Sequence, residues 1–240
     1  SEIPSTFTTL YIKTAGDNTV MTAEQMKAVA DAVKALAAPA TVDFSEVVYE
    51  SETFPNSFKS NANLAGIVFP QNVTATASAA FQKTGMTSVT VLKDISYGSN
   101  AFDSCASLVS VTVEEGVTEI GNYMFQNTKL TQVTLPNSVT KIGASAFNGC
   151  SLTTINFGQG VKTIENSAFQ NCGELTEIIL PDATETLGQN AFGDCPKLAK
   201  ISLGKNMKTL EAYCFVGYSK GCPLLGDIIC RATTPPTLKD

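Results

Sequence analysis

The 240-residue chain contains no histidine and no tryptophan. Histidine is the side chain whose ordinary pKa lies near neutrality and the commonest metal ligand, so its absence removes most acid–base constellations and most transition-metal sites together. Without tryptophan the chain also lacks the best ring for cation–π stacking. Charge is sparse: 16 Lys and Arg stand against 22 Asp and Glu, a formal net charge of −6, with no dense basic run. A protein that grips nucleic acid or anionic lipid carries the opposite balance, so neither partner is expected. No apolar run approaches the roughly 18 residues of a membrane span, and the polar start SEIPST is no signal peptide. Any export signal or anchor is expected upstream of residue 1.

What is present is a repeat. Phenylalanine recurs at Phe58, Phe81, Phe102, Phe125, Phe147, Phe169, Phe192 and Phe215, at spacings of 23, 21, 23, 22, 22, 23 and 23 residues. A period of that length marks a solenoid, whose turns cannot bury their apolar faces alone and stack to share one core. The turn from Leu130 to Cys150 shows the pattern most plainly: Leu130, Val133, Leu135, Val139, Ile142, Ala146, Phe147 and Cys150 are its apolar positions. In Val133-Thr134-Leu135 the apolar residues alternate, as a strand with one wet face requires. Equivalent segments one turn apart must then lie side by side in parallel. The return segment IGASAFNGC has Gly at a bend, a small Ala146 where backbones approach and Phe147 as filler, and a short helical or 3₁₀ turn is expected there.

Ahead of the repeat, residues 7–12 favour a strand, and TAGDNT at residues 14–19 reads as a turn. From Thr22 the period becomes helical, with Met26, Val29, Ala30, Val33 and Leu36 on one face, Thr22 and Gln25 as a capping box, and Pro39 as a barrier to continuation. Residues 1–40 are therefore expected to form a strand and helix that cap the first turn, and residues 41–240 the solenoid. Val42 and Phe44 point inward from what reads as its first strand.

This pattern resembles the leucine-rich repeat of the BspA-like subtype, found in bacterial surface proteins. The resemblance covers about residues 40–238, and the ending IICRATTPPTL is similar to a terminal turn of that family. It implies an α/β fold: a right-handed leucine-rich-repeat solenoid with a parallel sheet on the concave face, short turns on the convex face and an N-terminal helical cap. It also implies an exported protein, at the cell surface or secreted. One local departure is an insertion of about four residues around Gly217–Lys220, since Cys222 follows Phe215 by seven residues where Cys195 follows Phe192 by three.

All seven cysteines fall in columns expected to face inward. Cys105, Cys150, Cys172, Cys195 and Cys222 follow the Phe, Cys214 replaces the small Ala, and Cys230 replaces a strand Leu. They read as small buried hydrophobes. Stacked turns would also bring Cys150, Cys172 and Cys195 within disulfide range of one another, which leaves bridges open. With no C-x-x-C and no His, no metal is expected. Adjacent Glu114 and Glu115 read as a solvated corner pair rather than an acid–base couple. Asn72-Val73-Thr74 matches a glycosylation sequon and reads as a turn.

The surface most available for function is the outer face of the sheet. Its central column carries Thr90, Thr112, Thr134 and Asn156 and continues to Ile179, Ser202 and Ile229. The column before it carries Gln132, Thr154, Glu177 and Lys200. A hydroxyl ladder is good strand chemistry on any wet face, and it also furnishes the shallow binding surface that solenoids offer. The leading expectation is a monomeric, non-enzymatic module without cofactors, binding an extracellular protein, with adhesion as what the resemblance implies. The alternatives are a glycan-binding accessory protein, against which Tyr97, Tyr123, Tyr213 and Tyr218 lie on the return side, and a structural spacer. An ice-binding Ser/Thr array ranks last because the columns are interrupted.

Overall fold

The computed structural model describes residues 8–13, 20–217 and 219–239. The predicted turn at residues 14–19 lies outside the described residues. Each described turn contributes one strand to the face of the solenoid and, in all but the turn of Ser88–Val91, a two-residue strand a few residues later to a second face, and all pairings are parallel. The face strands run from Thr8–Tyr11 through Ala40–Asp43 and Leu64–Val68 to Asp227–Cys230. The second sheet is continuous over six strands, from Glu119–Ile120 to Thr237–Leu238. Ile120, Ile142, Ile164 and Leu187 stack inward from it, all fully buried.

The Thr8–Tyr11 strand pairs in register with Ala40–Asp43, so the N-terminal segment forms a turn continuous with the sheet. In that turn the helix Ala23–Lys34 occupies the place of the short return segment. Thr22 and Gln25 form the predicted capping box. Met26, Ala30 and Val33 are buried, while Val29 and Leu36 pack at the margin. The helix stops at Lys34, short of Pro39. The next turn holds the end of the helix: Asn63 Nδ2 donates to Lys34 O, which no intrahelical N–H can reach, and to Leu36 O just beyond the helix, and Asn61 Nδ2 donates to Ala30 O.

The return segments differ from a regular 3₁₀ helix. Bonds of the i to i−3 type are present, from Ala146 N to Gly143 O and from Cys150 N to Phe147 O. Every second N–H instead donates to the following turn: Ser145 to Asn166, Phe147 to Ala168 and Gly149 to Gln170. The alternation requires left-handed residues on both sides of the Phe, such as Ser145 (φ 53°) and Gly149 (φ 72°). Such residues interrupt a helix, and the inter-turn ladder they permit satisfies backbone groups that would otherwise be buried unpaired.

The phenylalanines form the spine of the core. From Phe81 to Phe192 six rings stack in sequence, with centroids 5.2–5.6 Å apart and planes within 18° of parallel. Beside them runs the column three residues after each Phe, which the insertion moves to seven residues after Phe215. There Cys105, Cys150, Cys172, Cys195 and Cys222 each aim the thiol at the Phe carbonyl of the preceding turn, at 3.0–3.3 Å. The cysteines are free. Five are buried, but Cys222 is only half-buried and Cys230 is exposed, contrary to the inward placement expected of all seven. Cys230 lies on Asp227–Cys230, the last strand of its sheet, where no further turn of the described chain covers it.

Candidate functional site

The face sheet presents alternate residues to water because strand side chains alternate sides. Val111, Val133, Ile155, Ile178 and Ile201 point into the core, and the residues between them point out. Parallel in-register pairing then arranges the outward residues in straight columns. Thr90 lies opposite Thr112, Gln132 opposite Thr154, Thr134 opposite Asn156, and Glu177 opposite Lys200. All eight predicted residues thus occupy two neighbouring columns on one face. Seven are exposed and Lys200 is half-exposed.

The face is chemically graded along its length. From Thr90 to Asn156 it is hydroxyl- and amide-bearing and uncharged. Beyond that, Lys200 Nζ meets Glu177 Oε1 at 2.9 Å and also lies beside Asp227 in register. The hydrogen bond to Glu177 and the field of its carboxylate raise the Lys200 pKa, with a smaller contribution from Asp227. Next to this charged row stands an apolar one. Ile179 and Ile229, which flank Ser202, are 60% and 45% exposed.

The sheet also splits, a feature that was not anticipated. No ladder joins Leu64–Val68 to Ser88–Val91, Ser110–Val113 to Gln132–Thr134, or Thr154–Asn156 to Glu177–Ile179, and at the first of these steps a cleft of about 310 Å³ opens. Thr41, Ser88, Thr90 and Thr112 are on its rim, with Phe69 and Met86 among the apolar residues beneath. A register shift between Ala40 and Thr41 leaves Ala65 as an extra residue in the first strand, and such bulges bend a strand away from its neighbour. Tyr97 lines the cleft too. Its hydroxyl donates to Thr90 O at 3.4 Å and accepts from Leu92 N at 3.3 Å. Burial pushes the phenol up to about 12. The sequence signal for this irregularity was the single spacing of 21 residues, from Phe81 to Phe102.

The remaining candidates resolve into structural roles. Glu114 accepts a hydrogen bond from Lys93 N and Glu115 from Ser138 N, so each carboxylate ties one turn to a neighbour. Asn72 of the sequon donates its amide to Tyr49 O and accepts from Tyr49 N, which makes it a bracket between turns. Tyr123 and Tyr213 are exposed on return turns, and Tyr218 lies outside the described residues. Among the described residues no cluster of three or more His, Cys, Asp or Glu could hold a metal ion, and no helix is long and apolar enough to cross a membrane.

Comparison with solved structures finds the same fold in a leucine-rich cell surface protein from Faecalibacterium prausnitzii (TM-score 0.55, 21% identity), over 80% of this chain and 63% of that one. The chain therefore spans under two thirds of that protein. Lower similarities extend to a leucine-rich repeat protein from Eubacterium ventriosum (TM-score 0.46, 13% identity, 83% and 74% coverage) and to the T. pallidum leucine-rich repeat protein (TM-score 0.42, 19% identity, 84% and 73% coverage). A search by sequence among curated proteins finds no match. The profile of the BspA type leucine-rich repeat region matches residues 41–97 and 95–221 in six copies, and with the repeat, the Phe spine and the parallel sheets it establishes that the chain belongs to the BspA-type leucine-rich repeat family.

Proposed function

We propose that this chain is a non-enzymatic binding module of an exported or cell-surface protein, and that its strand face contacts an extracellular protein in adhesion. The observation that carries the reading is the exposed Ile179 and Ile229 beside the Glu177–Lys200–Asp227 row. The column begins with Val68, but the side chains at the four positions between it and Ile179 are Thr90, Thr112, Thr134 and Asn156, so water exposure alone does not call for isoleucine there. Apolar anchors beside a charged row are the composition of a protein-binding patch. The described face columns carry no aromatic platform, which favours a protein over a glycan. The cell-surface setting of the F. prausnitzii protein is consistent with export.

The test is a binding screen of the purified chain against arrays of matrix proteins and polysaccharides, repeated with an Ile179→Thr/Ile229→Thr variant. Threonine keeps the strand preference and removes the apolar surface. A protein hit weakened about tenfold or more in the variant, equivalent to about 1.4 kcal/mol, supports the reading. A protein hit unchanged in the variant moves binding off this patch, and a hit confined to polysaccharides overturns the choice of partner.

A further inference from the structure

We infer that the cleft where the face sheet parts, between Leu64–Val68 and Ser88–Val91, binds a small neutral aromatic molecule that carries a hydrogen-bonding group, a phenol in the simplest case. The site lies several turns from the Ile179–Ile229 patch and does not rest on it.

Three features hold the cleft open. No backbone hydrogen bond joins residues 64–69 to residues 86–92. The outward column that covers the sheet begins with the small residues Gly66, Ser88 and Ser110, where later turns carry Gln132, Thr154, Glu177 and Lys200. Gly66 also leaves room for the rim, since a Cβ there would fall 2.9 Å from Thr41 Oγ1. In consequence the inward residues at this step, Ile67 and Val89, stay half-buried. Farther along the same column Val133, Ile178 and Ile201 are buried, with Ile155 half-buried between them.

The lining selects the ligand. A volume of about 310 Å³ stands at the lower end of small-molecule sites and encloses a one-ring compound whole. The floor is aromatic, with Phe69, Tyr97 and Phe102 beside the Met86 thioether. Phe69 and Tyr97 meet edge to face at a centroid distance of 6.5 Å, and Tyr97 and Phe102 lie 5.7 Å apart at a 46° tilt. A further ring entering the cleft extends a cluster already set at favourable angles, and methionine sulfur favours the same occupant. The Tyr97 hydroxyl is held by Leu92 N and Thr90 O, which fixes this wall before a ligand arrives. At the rim the hydroxyls of Thr41, Ser88, Thr90, Ser110 and Thr112 form no hydrogen bond with any described residue, and each can donate or accept. No Asp, Glu, Lys or Arg lines the cleft, so nothing there offsets the desolvation of an ionised ligand.

The probe is p-cresol, titrated to about 5 mM into isotopically labelled protein, with 4-methylbenzoate as the charged control and 4-methylcyclohexanol as the saturated one. Saturable shifts with p-cresol are expected at the amides of Gly66, Val89, Thr90 and Tyr97, half-complete at or below about 1 mM, and each control is expected to bind at least about threefold more weakly. Val89→Phe places a ring of the protein's own in the cleft and weakens binding by about tenfold or more. Ser88→Leu, at an exposed rim position, covers the mouth and serves as the second variant should Val89→Phe perturb folding. Ile179→Thr/Ile229→Thr leaves p-cresol binding unchanged, so failure of the strand-face reading and failure of this one are told apart. Absence of saturable shifts at those amides, equal binding of either control, or undiminished binding by a folded cleft variant would each overturn the proposal. Tighter binding of acetyl-Gly-Tyr-Gly-amide than of p-cresol would assign the cleft to a tyrosine side chain of a polypeptide and overturn the free molecule as its occupant.

Discussion

The rings of Phe147 and Phe169 lie face to face, with centroids 5.2 Å apart and planes 3° from parallel. Both are fully buried, so each ring fills the space between its own turn and the next. Truncation of Phe147 to alanine removes contacts with Phe125 and Phe169 together and leaves a void that the stacked backbones, tied by their inter-turn ladder, cannot close. The expected loss is about 3–5 kcal/mol in chemical denaturation, with Phe147→Leu markedly milder. A loss below about 1 kcal/mol would show that the Phe column is not the core.

The cysteine column makes a chemical prediction. Burial raises the thiol pKa of Cys150 to about 11 and of Cys195 to about 12, and it raises that of fully buried Cys172 well above the ordinary thiol value. Thiolate is the reactive form, so these residues are protected by protonation as well as by access. Maleimide labelling of the native protein, mapped by peptide mass spectrometry, is expected to modify exposed Cys230 first and half-buried Cys222 more slowly. Cys150, Cys172 and Cys195 should react only after denaturation. Native labelling of Cys172 at the rate of Cys230 would contradict the packing.

Arg231 clasps the last turn to the two before it. Its Nε donates to Leu203 O at 3.0 Å and its Nη2 to Leu180 O at 2.8 Å, while Nη1 lies 3.3 Å from Asp182 Oδ1. A planar fork is needed to reach three acceptors spread over two turns, and lysine offers a single ammonium. Arg231→Lys is expected to destabilise by about 2 kcal/mol and to raise amide exchange in the Asp227–Cys230 strand above that in Lys200–Leu203. Unchanged exchange would mean that strand pairing alone holds the turn.

Much of this architecture could be read from the residues because a solenoid repeats its instructions. The Phe spacing, the Val-Thr-Leu alternation and the Thr22–Gln25 box each specify a local structure, and each is found. What stayed hidden depends on backbone conformations that residue type does not announce. Tyr123 and Ser145 sit in the left-handed region as readily as Gly149 does, and only the inter-turn hydrogen bonds explain why. The second sheet is two residues deep, too short for an alternating pattern to register. The strand-face columns were legible because strand geometry fixes sidedness. The cleft beside Thr90 was not, since a single missing residue and a bulge at Ala65 alter the pairing without altering composition.

Asp194 shows how the insertion after Phe215 is accommodated, and it carries a pH signature. Its Oδ1 accepts hydrogen bonds from the backbone N–H groups of Ser219, Lys220 and Gly221, and its Oδ2 from Gln170 Nε2 at 3.1 Å. Gly217, at φ +73°, allows the chain to close over the carboxylate, since a Cβ there would fall 2.5 Å from Asp194 Cγ. Burial by itself would raise the Asp194 pKa, but the three N–H donors and Gln170 outweigh it and hold the carboxyl well below the usual range. A depressed folded-state pKa means that the stabilisation is fully present above the unfolded value of about 3.9 and is lost as pH falls toward the folded value. Asp194→Asn keeps the size and loses the charge. It is expected to destabilise by about 2 kcal/mol at neutral pH, with the gap from the parent protein narrowing below about pH 4, where the unfolded chain's carboxylate takes up a proton that the native one does not. Denaturant titrations of both proteins between pH 2 and pH 7 provide the measurement. A gap that stays constant across that range would show that the loop is held by shape and backbone bonding alone, with no contribution from the charge of Asp194.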